Sequence, residues 1–382
     1  MAAIPAVTAG EWKSFHRYRS AREVAVSGAD GLETAVEDGC AIGLVDAARD
    51  ARGLEQVRGL LKASGLGLDA DVELFATARD ASGRLLACLG LAGDVVKCAA
   101  SAPEVRGEGV TARLMQRILD EASDRGRTHL FAFTRPGNRA ILEGLGFHAL
   151  AVTDDAVLLE NTPFGLSSYV AGLARLRRPG RRIGGVVLNA NPFTFGHRYL
   201  VERAASECDA LHVFVVGEDA SAFDAATRLR LVRDGIAGLD LGEQVVVHPG
   251  SRYIVSRATF PNYFLAREDA RASAAAGLDL QLFRTAIAPA LGITDRFVGT
   301  EPLSPVTAAY NAEMRWWLAE APLDAPPIAV HEVARLEVDG EAVSASRVRQ
   351  GLASGDLDAV ARLVPGPTLA HLRSLVSPGH RR

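Results

Sequence analysis

The run Ile183–Leu188 stands directly before Asn189-Ala190-Asn191-Pro192-Phe193-Thr194-Phe195-Gly196-His197, and an amphipathic segment follows at 197–207. An apolar run bounded by turn residues reads as a strand buried on both faces. Leu200, Val201, Ala204 and Ala205 then recur at helical spacing. A second buried run covers 210–217, a helical pattern Ala225–Ala237, a third strand 243–248 and a fourth Asp295–Gly299. This alternation predicts an α/β domain with a doubly wound parallel sheet. Ligands of such a sheet bind beyond the carboxyl ends of its strands, where residues 189–197 sit.

The preceding half has a different order. Residues 72–79 and 84–92 alternate around the turn Asp80-Ala81-Ser82-Gly83, and 94–100 reads as a third strand. Leu114, Met115, Ile118, Leu119 and Ala122 give a helix over 110–123, before a strand at 129–134 and a short helix at 138–144. The basic, Pro/Gly-containing segment 175–185 separates the halves as a linker. We expect domains at 1–174 and 186–382, the second opening with a strand from about residue 183. Patterning over residues 1–65 is weak.

Hydrophobic residues make up 48% and charged residues 23%, a soluble globular balance. Nothing approaches the roughly 18 apolar residues of a membrane span. Glu11, Lys13, Arg17 and Arg19 interrupt the N-terminus where a secretory signal would be apolar, so a cytoplasmic protein is expected. Cys40, Cys88, Cys98 and Cys208 are scattered, predicting neither a disulfide framework nor a metal site. A net charge of -4 gives no reason to expect nucleic acid. The lysines are Lys13, Lys62 and Lys97. A triphosphate bound by the second half must therefore be held without lysine, and a Walker A loop is excluded.

The turn at 189–197 suits an anion. The helix that starts there directs N–H groups and a positive dipole end at the crevice. Gly196 permits close backbone approach, His197 supplies an imidazole donor and Thr194 a hydroxyl. Thr194–His197 resembles the (His/Thr)-x-Gly-His signature of the nucleotidylyltransferase superfamily. Val343-Ser344-Ala345-Ser346-Arg347-Val348-Arg349 resembles the ISSTxxR signature of the same domains. Ser344 or Ser346 can cap the following helix, a role compatible with phosphate binding. Asn189, Asn191, Pro192, Phe193, Thr194, Gly196, His197, Arg228, Ser344, Ser346 and Arg347 are the candidate ATP ligands. His197, Thr194 and Arg349 are the candidate catalytic groups. The blander reading is that His197 and the serines only cap helices. Positioning and charge neutralisation suffice for in-line attack on the α-phosphorus, with Mg²⁺ completing the clamp.

Longer blocks carry a more specific resemblance: NANPFTFGHRYLVERAA, FVVGEDASAF, GSRYIVSRATFPNYF, RFVGTEPLSPVTAAYN and VSASRVR. Together they resemble citrate lyase ligase, and the likeness runs from about Leu66 onward. The resemblance implies that acetate attacks ATP to give acetyl-adenylate and pyrophosphate. The acetyl group then passes to the thiol of a phosphoribosyl-dephospho-CoA group on the acyl carrier (gamma) subunit of citrate lyase, with release of AMP. It also implies that Ser251, Tyr253, Ser256, Arg257, Thr259 and Phe260 line the region beside the nucleotide. Gly299, Glu301, Pro302, Ser304 and Thr307 would form the loop near adenine or ribose.

Arg106-Gly107-Glu108-Gly109-Val110-Thr111 resembles the R-x-x-G-x-G/A loop with which GNAT acetyltransferases hold the CoA pyrophosphate, though Thr111 replaces the final small residue. A GNAT-like N-terminal fold is expected, its loop gripping a CoA-like arm. Glu73, His129 and Glu143 are candidate bases without a distinctive motif. Two other functions compete: a nucleotidylyltransferase acting on a phosphorylated acceptor, and a non-catalytic acyl-CoA or nucleotide sensor.

Overall fold

The computed structural model describes residues 36–37, 40–217, 222–256, 276–300 and 305–376. The first sheet is built from β1 (Val36–Glu37), β2 (Cys40–Asp46), β3 (Leu74–Arg79), β4 (Leu85–Ala92), β5 (Val95–Ser101), β6 (Phe131–Thr134), β7 (His148–Val152) and β8 (Val157–Glu160). Its order is β1-β2-β3-β4-β5-β6-β8-β7. Helices α1 (Ala51–Ala63) and α2 (Val110–Asp124) cover opposite faces. The period of two explains how: Leu74, Ala76 and Ala78 of β3 meet the α2 core with Leu114 and Ile118, whereas Phe75 meets Val57 and Leu61 of α1. β4, covered on both faces, is apolar throughout.

β5 and β6 are parallel and pair only at Val95↔Phe131 and Val96↔Ala132. Cys98, just beyond, has φ +55 and takes β5 away from its neighbour. α3 (Arg139–Gly144) and α4 (Gly165–Ala174) complete this half. The result is a mixed α/β half built on one largely antiparallel sheet. β2, α1, β7, β8 and α4 are elements the sequence reading did not specify.

The second sheet is parallel, in the order β11-β10-β9-β12-β13, from β9 (Ile183–Leu188), β10 (Ala210–Val215), β11 (Val245–His248), β12 (Asp295–Gly299) and β13 (Ala329–Val333). The first strand lies centrally, so the topology reverses between β9 and β12. These two pair only at Asp295↔Gly184 and Arg296↔Gly185, then part. α5 (Phe195–Ser206) and α6 (Ala225–Ala237) bury Val201, Ala204, Leu231 and Val232 against one face. The other face, with Phe214, Phe283 and Ile287, joins a continuous core that reaches Phe75 and Phe131 of the first sheet. Residues 175–182 form neither strand nor helix, and Asp209 pins them by accepting from the Arg181 and Arg182 amides at 2.7 and 2.9 Å.

Candidate active site

Beyond β9, Ala190 adopts φ +48 and the Asn191–Pro192 peptide is cis. Phe193 drops into the core beside α6, where Gly235 makes room: a Cβ there would lie 2.4 Å from the Phe193 ring. Thr194 then caps α5. The Thr194 amide donates to His197 Nδ1 at 3.1 Å, and the His197 amide donates to Thr194 Oγ1 at 3.4 Å. This is a capping box in which histidine takes the usual Glu or Gln position. Because Nδ1 accepts a backbone N–H, the neutral ring carries its proton on Nε2, which is left as a donor. Burial, then the nearby Arg335 cation, lowers the His197 pKa to about 4.

The second signature caps its own helix, Ala345–Ser354, with Ser344 Oγ accepting from the Arg347 amide at 3.2 Å. The two helix starts meet. Arg349 donates to the Asn191 carbonyl at 2.6 Å and to Ser346 Oγ at 3.0 Å. A Cβ on Gly196 would lie 3.0 Å from the Val343 carbonyl oxygen, and the Phe195 amide donates to Leu363 O at 2.9 Å. Asn189, Asn191, Pro192, Phe193, Thr194, Gly196, His197, Ser344, Ser346 and Arg349 thus share one corner of the sheet. Gly299 ends β12 on the same side, where Asn311 donates to its carbonyl at 3.0 Å.

Several expected residues have other surroundings. Arg228 is fully buried and donates to the carbonyls of Asn189, Val216 and Phe223 at 2.9, 2.7 and 3.0 Å. It stitches the turn to the second strand instead of reaching for a phosphate, because the carbonyls ending two parallel strands need donors. Arg347 turns outward, bonded to the Glu341 carboxylate at 2.9 Å and to the Ala342 carbonyl at 3.1 Å. Tyr253 faces the first domain, its hydroxyl donating to Glu160 at 2.6 Å, while Ser251 Oγ accepts the Tyr253 amide and Ser256 donates to Arg252 O. Arg257, Thr259, Phe260, Glu301, Pro302 and Ser304 lie outside the described residues, as does the Thr307 side chain.

In the first domain, Gly107 and Gly109 take φ +86 and +74, and Gly109 caps α2. Arg106 is exposed and donates to Ser101 O at 3.3 Å; Thr111 is exposed, and Val110 is a core anchor. Glu73, His129 and Glu143 are each engaged, with Arg127, Glu160 and Arg139 respectively. None stands poised as a base.

Arg335 escaped the sequence reading. It follows β13, donates to the Thr300 carbonyl at 2.7 Å and acts on His197. The strand that delivers it, AVHEV, alternates too little to be recognised alone.

Residues 183–372 match the family model described as citrate lyase ligase C-terminal domain. A [citrate [pro-3S]-lyase] ligase of Klebsiella pneumoniae is 49% identical over 86% of this chain and 94% of its own length. Those of Escherichia coli and Haemophilus influenzae are 45% and 41% identical, over 85% and 84% of this chain and 91% and 95% of theirs. The chain belongs to the citrate lyase ligase family. It is an enzyme, a ligase, and the similarity to curated family members spans both domains. Among the described residues no helix is long and apolar enough to cross a membrane.

Proposed function

We propose that the corner where the two helix starts meet activates acetate with ATP. An acetate oxygen bonds to the α-phosphorus as the bond to the β-phosphate breaks, giving acetyl-AMP and pyrophosphate. The thiolate of the phosphoribosyl-dephospho-CoA group, on the citrate lyase acyl carrier subunit, then attacks the acyl carbon and expels AMP. The single observation carrying this reading is the Arg349–Asn191 contact, which sets both signatures against one crevice without lysine.

His197 donates from Nε2 to a phosphate oxygen as a neutral group. Ser346, Arg349 and the first-turn N–H groups of both helices offer further donors where charge develops. Arg228 and Thr194 hold the turn. Mg²⁺ travels with the triphosphate in this scheme; among the described residues no group of three His, Cys, Asp or Glu side chains could hold it. The loop Arg106, Gly107, Gly109, Val110 and Thr111 receives the CoA-like arm of the carrier, its N–H groups facing the pyrophosphate.

The test is acetate-dependent exchange of pyrophosphate into ATP, alongside reactivation of deacetylated citrate lyase. His197→Ala should slow both by about 10²–10³, roughly 2.7–4 kcal/mol of lost transition-state stabilisation. Normal turnover in the variant would remove His197 from the mechanism, and a stable nucleotide-linked product would favour a nucleotidylyltransferase.

A further inference from the structure

Arg296 is only 3% exposed, yet neither Nε nor Nη1 has a hydrogen-bond partner. Two similarly buried arginines behave differently. Arg228 and Arg284 direct their donors to backbone carbonyls, Arg284 reaching those of Pro326, Trp317, Ala321 and Ala325. Leaving buried guanidinium donors unmet is costly, and such groups in a native fold call for an explanation, a bound ligand among them.

The position of Arg296 supplies one. It occupies the last register pair before β9 and β12 part, and Asn311, next to Tyr310 in the helix Pro305–Arg315, donates to the Gly299 carbonyl at the carboxyl end of β12, the end at which open α/β sheets bind ligands. The register partner of Arg296 is Gly185, so no side chain from β9 fills the space beside it. A Cβ at 185 would lie 3.3 Å from Ile293 and 3.4 Å from Phe283. The Phe283 ring, in the π-helical turn Phe283–Ile287, covers the guanidinium at 4.7 Å. Asp279 and Tyr310 are close enough to act on its charge. Both oxygens of Asp279 are already engaged, one by the Tyr310 hydroxyl at 2.7 Å and one by the Val255 amide at 2.6 Å. That amide ties the cluster to loop 251–256. The surroundings thus offer a buried cation with open donors and an aromatic cover, beside two strands that part.

We propose that Arg296 anchors the carboxylate of the short monocarboxylic acid that this enzyme activates, an acid of acetate size. One oxygen is held by the guanidinium, and the other remains for attack on the nucleotide. This rests on the ligase reading above and deepens it by placing the acid.

The experiment uses the full-length chain with Arg296→Met and Arg296→Lys, reading acetate-dependent exchange of pyrophosphate into ATP and thermal unfolding. Loss of the planar guanidinium anchor, which lysine does not reproduce, should raise the acetate KM in both variants by about 10- to 100-fold, with the ATP KM within roughly twofold of wild type. Removing unmet donors should leave the methionine variant at least as resistant to heat as the wild type. An unaltered acetate KM, an equal rise in the ATP KM, or a clear fall in the melting temperature of the methionine variant overturns the assignment. Should that variant fail to fold, the lysine variant, which keeps the charge, decides by the same two constants. No exchange in the wild type overturns the ligase reading, and this assignment with it; exchange with unaltered acetate KM overturns the assignment alone.

Discussion

His197 combines two tasks in one ring. Nδ1 completes the cap of α5, which orients the imidazole, and this leaves Nε2–H as a donor independent of ring charge. Its pKa, lowered from 6.5 to about 4, keeps that arrangement through the physiological range. The pH profile of the exchange rate should therefore show no His197 inflection near 6.5 over roughly pH 5.5–8. An inflection there that disappears in His197→Asn would mean that the imidazolium is the working form. Gly196 and Gly235 are legible as glycines in the sequence, but their reasons are tertiary. One admits the Val343 carbonyl and the other the Phe193 ring. Gly235→Ala forces a methyl into that ring, so denaturant unfolding should show a loss of about 1–3 kcal/mol. The mid-strand orphan Arg296 carries no sequence signal at all, since its neighbours come from distant segments.

At the scale of elements, the site depends on two helix caps. Thr194 and Ser344 satisfy N–H groups in the first turn, and Asp224 does the same for α6 by accepting from the Thr227 amide at 2.7 Å. Ser344→Ala should cost about 1 kcal/mol of stability. Because that helix start also carries Ser346 and Arg349, the ATP KM should rise as well. Asp50→Ala, which removes the cap of α1 in the other domain, should cost a similar stability without moving the ATP KM. Equal effects on that KM from both variants would detach the second helix from the nucleotide site. Strands β9 and β10 were legible because parallel strands buried on both faces read as apolar runs. β13 was not, because it lies at the sheet edge and alternates weakly with exposed residues. α1 has Leu54, Val57 and Leu61 at helical spacing, but glycines and charges dilute the signal and it went unrecognised.

Over the whole molecule, the domains are joined through polar as well as apolar contacts. Glu160, 2% exposed, accepts from the Tyr253 hydroxyl at 2.6 Å and the Leu166 amide at 2.9 Å, and bonds His129 at 2.7 Å. Arg252 pairs with Asp94 at 2.6 Å. Tyr253→Phe should lower stability by about 1 kcal/mol, read as a shift in the urea midpoint. A second global term comes from His212 and His248, buried on adjacent strands and bonded at 2.8 Å. Burial pushes both pKa values well below 6.5, with Arg178 adding to the effect on His212 and His212 and Arg233 on His248. The unfolded chain then binds more protons than the folded one as pH falls below about 6.5. Their contribution is full above that pH and is lost on acidification through the folded values. Urea unfolding of the wild type should weaken from about pH 6.5 downward, and the double change His212→Leu/His248→Leu should flatten that slope. The local order of apolar runs, turns and caps determined by itself the two α/β halves, the lysine-free phosphate turn and the resemblance to the ligase family, because each is encoded within a short stretch of chain. Tertiary structure alone decided that Arg228 braces the turn, that Tyr253 joins the domains, that Arg335 acts on His197 and that Arg296 is buried unmet. A long polar side chain takes its role from whichever distant atoms folding brings within hydrogen-bond reach, and no local pattern specifies them.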